Sequence, residues 1–167
     1  MEIRELKRLV MEEMNNDSIK LKGRWTATEK DPGTGEVLSR NVMENVITED
    51  GAQAVAQMLG GQTIGDFEYI AIGDGPAAGD SEDVTQSSLV NEQARELDSS
   101  PTVEDDGDGH KIRWSAVFGP DDCVATEFGL FNDGSEGTML SYNIPEIEKD
   151  AQNAELTLEY DLIVNEG

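Results

Sequence analysis

The sequence predicts a mainly β protein, an antiparallel β-sandwich with one or two short helices packed on it and an N-terminal helical arm. Three observations predict it. Residues 111–118 and 154–164 alternate apolar and polar side chains with the two-residue period of a half-buried strand. Ile112, Trp114, Ala116 and Phe118 share one face of the first, and Leu156, Leu158, Tyr160, Leu162 and Val164 share one face of the second. Between them lie two further apolar runs, separated by Asn132-Asp-Gly134 and Gly137, residues that tolerate the positive φ of a tight reversal. Finally, the apolar period is helical before Asp17 and becomes two after it, which divides an arm, residues 1–17, from a β-sandwich domain, residues 18–167.

In the arm, Ile3, Leu6, Val10 and Met14 fall near one stripe of a helix, and Asn15-Asn-Asp-Ser18 ends the pattern. A helix of that length is marginal in water, so the stripe must pack on something, either its own domain or a neighbouring subunit. From Ile19 onward Leu21, Gly23, Trp25 and Ala27 alternate with Lys20, Lys22, Arg24 and Thr26, a strand that reverses at Asp31-Pro-Gly-Thr-Gly35 and returns over residues 36–47. Five of the 12 basic residues, Lys20, Lys22, Arg24, Lys30 and Arg40, lie on this hairpin. They form either a contact for an acidic neighbour or a solvated face.

Thr48-Glu-Asp50 supplies an N-cap and acidic first-turn residues for a helix expected to bury Ala52, Val55, Ala56 and Leu59 and to stop at Gly60-Gly61. Residues 67–73 are apolar on nearly both faces, which predicts a central strand covered on two sides. Residues 88–97 are read as a short helix carrying Leu89, Val90 and Ala94, broken by Ser99-Ser-Pro101. A strand at Thr102 and Val103 then leads through an acidic turn over residues 105–109 into the strand at Lys111. Residues 124–131 and 138–144 form a hairpin, and the strand over residues 154–164 closes the domain.

Charge bounds the function classes. Thirty-six Asp and Glu against 12 Lys and Arg give a formal charge of -24, dispersed along the chain. Nucleic acid and anionic membranes would repel such a surface, because both kinds of binding rest on basic residues that neutralise phosphate. Neither is expected as a direct partner, and no apolar run approaches the roughly 20 residues that span a bilayer. Self-repulsion of this size destabilises a compact chain in dilute buffer, but in about 1 M salt the Debye length falls to ~3 Å. The acidic residues are expected in loops (Asp80, Glu82, Asp83 and residues 104–106) and on the solvent faces of strands (Glu155, Glu159, Asp161), the pattern of adaptation to concentrated salt, with an acidic protein of an ordinary host as the alternative.

The chemistry of catalysis finds few residues to use. His110 is the sole histidine and sits beside a glycine turn, where an exposed loop residue is the expectation. Cys123 is the sole cysteine, which excludes an intrachain disulfide and a cysteine-based zinc site, and its carboxylate neighbours should raise its pKa. The acidic run 104–110 fails the EF-hand pattern, since counting from Asp106 puts Lys111 where the glycine and Val117 where the bidentate glutamate must be. The loop from Gly73 to Gly79 follows a strand, but Pro76 intrudes and no phosphate-facing helix begins after it. No catalytic, cofactor-binding or metal-binding residue is therefore assigned. An enzyme acting on surface glycans would need a marked carboxylate pair in an aromatic groove, and aromatic content is only 5%.

The ordered set Tyr69-Ile-Ala-Ile-Gly-Asp-Gly75, Ser87-Ser-Leu-Val-Asn-Glu-Gln-Ala-Arg95, Lys111-Ile-Arg-Trp-Ser-Ala-Val-Phe118, Thr126-Glu-Phe-Gly-Leu-Phe-Asn132 and Gly137-Thr-Met-Leu-Ser141 resembles a β-rich domain of tail-fibre and baseplate-type structural proteins of tailed phages. The resemblance covers roughly residues 42–164. It implies a non-enzymatic virion component, a tail, baseplate or fibre-attachment protein, assembled in the host cytoplasm with sister subunits and other virion proteins as partners and no cofactor. A capsid accessory protein, a turret or decoration subunit, is the alternative. Joined to the acidic surface, the resemblance implies a virus of a halophilic archaeal host. Ile3, Leu6, Val10, Met14, Lys20, Lys22, Arg24 and Arg40 are the expected interaction residues, with residues 1–40 as an attachment surface outside the module that begins near Val42.

Overall fold

The computed structural model describes residues 19–98, 100–107 and 109–166. Two five-stranded antiparallel sheets face each other. The first contains β1 (Ile19–Lys30), β2 (Val37–Glu44), β6 (Thr102–Asp105), β7 (Gly109–Phe118) and β12 (Glu155–Glu166), in the order β2-β1-β12-β7-β6. The second contains β3 (Val46–Ile47), β4 (Tyr69–Gly73), β5 (Glu92–Leu97), β9 (Glu127–Phe131) and β10 (Met139–Asn143), in the order β3-β10-β9-β4-β5. A two-stranded ribbon of β8 (Val124–Ala125) and β11 (Lys149–Asp150) joins them at one side, and one helix, α1 (Glu49–Leu59), packs against β10. The mainly β, sandwich-like architecture expected from the alternation is the one found.

Alternation explains the core. Trp25 and Ala27 of β1, Trp114, Ala116 and Phe118 of β7, and Leu156, Leu158, Tyr160 and Leu162 of β12 are buried against Ile70, Ile72, Phe128, Leu130 and Leu140 of the other sheet. Trp25 lies over Tyr160 and Phe128, with centroids 4.8 and 5.7 Å away, in the tilted geometry aromatic rings prefer. Its indole N–H crosses between the sheets to Ser141 Oγ at 3.0 Å, and the Trp114 indole donates to the Phe67 carbonyl at 2.6 Å. Neither indole leaves a buried donor unpaired. A second, smaller core covers the far face of the second sheet, where Leu89 and Ile144 lie over Ala71, Phe131, Met139 and Tyr142. This is why β4 is apolar on both faces, as its sequence predicted.

Several expectations are corrected. Residues 92–97 form strand β5, paired with β4 from Tyr69↔Leu97 to Ile72↔Ala94, where a short helix was expected. Pairing to an interior strand satisfies the backbone of an edge that helix propensity alone would have curled. The helix does begin at the Thr48 N-cap, whose Oγ1 accepts the Gly51 N–H, and Gly60 caps its end. The face it buries, however, is Gly51 and Ala54, while Ala52 and Ala56 are exposed and Leu59 is 82% exposed. A Cβ on Gly51 would stand 2.6 Å from the Leu140 Cα, so close approach of two backbones decides the docking. Asp161, expected on the solvent face, is 1% exposed. His110 is exposed, as expected, but on strand β7 instead of a loop.

Residues 19–40 of the expected attachment surface do not stand outside the β module but form part of it. β1 pairs with β12 along all twelve residues, from Ile19↔Glu166 to Lys30↔Glu155, and Trp25 is fully buried. Asn45 alone separates β2 from β3, so the chain passes from one sheet to the other within one residue. The Asn45 side chain holds this corner by donating to the Val46 carbonyl at 2.9 Å and to Ser141 Oγ.

Candidate functional site

Four of the residues singled out from the sequence, Ile3, Leu6, Val10 and Met14, lie outside the described residues. The others share the outer face of the first sheet. Even-numbered residues of β1 point outward, and Arg40 of β2 stands opposite Thr28 on that side. Lys20 and Lys22 are exposed, with Lys22 Nζ 2.5 Å from Glu44 Oε1. Arg24 is committed within the domain, 2.8 Å from Asp161 and 3.8 Å from Asp106. Arg40 is exposed and makes no ion pair among the described residues.

Asp161 is the centre of this face. Arg24 of β1 and Arg113 of β7 flank it across the strands, and Arg113 donates to both carboxylate oxygens at 2.7 and 2.9 Å. Burial opposes ionisation of Asp161, but the hydrogen bonds and charges of Arg113 and Arg24 outweigh it and hold the carboxyl below its usual range. Lys111, 3.5 Å from Glu104 and 3.7 Å from Asp106, extends the pairs toward the edge strand β6. Two of the five basic residues of the hairpin, Lys22 and Arg24, therefore meet carboxylates of their own sheet.

Glu127 is the second buried carboxylate, and its partners are neutral. Oε1 accepts the N–H of Asn91 at 2.8 Å and of Gly75 at 3.3 Å, while Oε2 accepts the N–H of Val90 at 2.8 Å and the Tyr142 hydroxyl at 2.9 Å. One side chain thus fastens both ends of the loop 74–91 to the sheet and supports the second core. Burial, with the Glu127 contact, raises the Tyr142 hydroxyl well above its ordinary pKa. Cys123 is likewise pushed up, to about 11, first by burial and then by Asp74, Asp122 and Glu127, so its thiol is a poor nucleophile. Among the described residues no group of three His, Cys, Asp or Glu side chains is arranged to hold a metal.

One recess of the described surface is mainly apolar. It occupies about 570 Å³ at the end of the sandwich, between α1 and the strand ends of the first sheet. Ile19, Leu21, Val55, Leu59, Phe67 and Val164 are among its walls. Val55, Met58 and Leu59 line it because α1 docks through its small residues and turns its larger ones toward the opening. Ile19, the first described residue of β1, is 70% exposed and stands among the groove's lining residues.

Sequence reasoning missed three of these features. Glu127 as the sole charge in the run from Val124 to Phe131 was an available signal, since a charge there must find partners. Nothing local marks Asp161, which sits in the polar half of a regular alternation. The groove arises from three separated segments. No protein-family model, curated protein or solved structure matches the chain.

Proposed function

We propose that the chain is a non-enzymatic structural subunit of a virus particle, a tail, baseplate or fibre-attachment component of a virus of a halophilic host. The observation that carries the reading is the pairing of an apolar groove lined by Ile19 with a sequence that is amphipathic in the residues before Ile19. The groove walls are apolar at the point where β1 begins. The 18 residues that precede Ile19 carry the stripe Ile3, Leu6, Val10 and Met14, the i, i+3/i+4 spacing by which a helix lies in an apolar groove. A subunit that places its arm in the groove of a sister subunit attaches by apolar contact, which concentrated salt strengthens while it screens the surface carboxylates. The motif order that resembles tail-fibre and baseplate proteins supports the same reading.

Deleting residues 1–16 tests it. The expected product is a soluble, folded β domain, recognised by an unchanged melting profile, that forms no assembly larger than a dimer and does not enter particles. A truncated chain that assembles like the full one would sink the attachment reading. Imaging of particles carrying a labelled subunit then separates the tail from the capsid, where density at capsid vertices would assign a turret or decoration role instead.

A further inference from the structure

The four sheet edges differ in how they are protected. β3 is two residues long. β6 is four and carries Glu104 and Asp105, and β5 is six with Glu92, Arg95 and Glu96. Short length and charge are the usual means by which edges avoid pairing with other chains. β2 is eight residues long, contains no proline, and exposes Val37, Leu38 and Val42 to 53%, 59% and 55%. Its charges are Arg40 and Glu44, which cancel, in a chain of formal charge -24. A second copy can therefore approach this edge without the repulsion that the acidic surface otherwise sets up.

We propose that β2 pairs antiparallel with β2 of a second copy around a two-fold axis at Val42, joining the two first sheets into one continuous sheet. A two-fold axis perpendicular to the sheet keeps the outer faces together, so outward residues oppose outward residues. Charge distinguishes the registers centred on Arg40, Asn41 and Val42. An axis at Arg40 sets the two guanidiniums against each other. An axis at Asn41 sets Arg40 against Val42 and Glu44 against Leu38. An axis at Val42 sets Arg40 against Glu44 in both halves and Val42 against itself. Opposite charges directly across an antiparallel pair stabilise it and like charges destabilise it, which selects the third register. Arg40 thereby gains an ion-pair partner, and Glu44 stands between Lys22 of its own chain and Arg40 of the other. The pairing is isologous, the arrangement that closes a dimer, and it runs over residues 40–44, because the chain leaves the first sheet at Asn45.

The inference deepens the structural-subunit reading and rests on it for its biological sense, but its test is separate from the arm deletion. Sedimentation of the full chain in about 1 M KCl, where long-range repulsion is screened and contact pairs persist, should give a dimer. Arg40→Glu opposes Glu to Glu44 twice and should weaken association about tenfold, and Glu44→Arg should do the same. The double variant Arg40→Glu/Glu44→Arg should recover the dimer, and melting curves verify that each variant folds. With Cys123→Ala as background, Val42→Cys should cross-link under mild oxidation into a species of twice the mass. A monomeric wild-type chain, an unaltered dimer in Arg40→Glu, a double variant that fails to recover, or no cross-link at Val42 would each overturn the β2 pairing. Deletion of residues 1–16 should leave this dimer intact. Loss of the dimer on deletion alone would assign it to the arm and overturn the edge proposal.

Discussion

The outer faces of the two sheets each bury one carboxylate, and they stabilise it by opposite means. On the first sheet Asp161 lies between the guanidiniums of Arg24 and Arg113, and among the described residues the face around it carries polar pairs and no second apolar cluster. On the second sheet Glu127 is surrounded by three backbone N–H groups and the Tyr142 hydroxyl, and a loop folds over it to make a second apolar core. A charge matched by charges ties strands together within a sheet. A charge matched by neutral donors ties a loop onto a sheet, because backbone N–H groups near a turn have no strand partner to use instead. The same residue chemistry thus gives cross-strand lacing on one side and loop anchoring on the other.

The largest effect expected is that of salt, which acts on the exposed carboxylates and leaves the two buried ones least changed. With a formal charge of -24, the wild-type melting temperature should rise steeply between about 0.1 M and 3 M KCl. A melting temperature independent of salt would remove the halophilic reading. Next, Trp25→Ala should cost about 3–5 kcal/mol. That ring packs between both sheets and its indole N–H spans them, so both outer faces should lose hydrogen-exchange protection together. Loss on one face only would show that the two halves unfold separately.

Glu127→Ala should cost about 3 kcal/mol by leaving buried donors unpaired, with exchange rising first in the loop 74–91. Uniform destabilisation without loop exposure would contradict the anchoring role. Asp161→Asn should cost about 2 kcal/mol at neutral pH through the loss of two charge-assisted pairs. Because the folded-state pKa of Asp161 is lowered, its contribution is present above the ordinary aspartate value near 3.9 and is lost as pH falls through the folded value. The stability gap between wild type and Asp161→Asn should therefore close below about pH 4, as chemical denaturation at a series of pH values would show. A gap that persisted in acid would mean that packing, not ionisation, carries the difference.

The sequence by itself determined the alternation. In β1, β7 and β12 the inward residues from Trp25 to Leu162 form the main core, because a strand with one face on a core writes that face into every second residue. It also determined the turns at Asp31 to Gly35 and Asn132 to Gly137 and the start of α1 at Thr48, where local backbone needs select the residue type. Tertiary structure decided what depends on partners. Residues 92–97 became a strand because β4 offered a free edge, and α1 buried Gly51 and Ala54 because the Leu140 backbone left room for nothing larger. Asp161 and Glu127 became buried sites through register and loop closure, which bring together residues as far apart as Arg24 and Asp161. Alternation is a local property, legible one strand at a time. A carboxylate's partners and a groove's walls are properties of several segments at once, and only the folded chain specifies them.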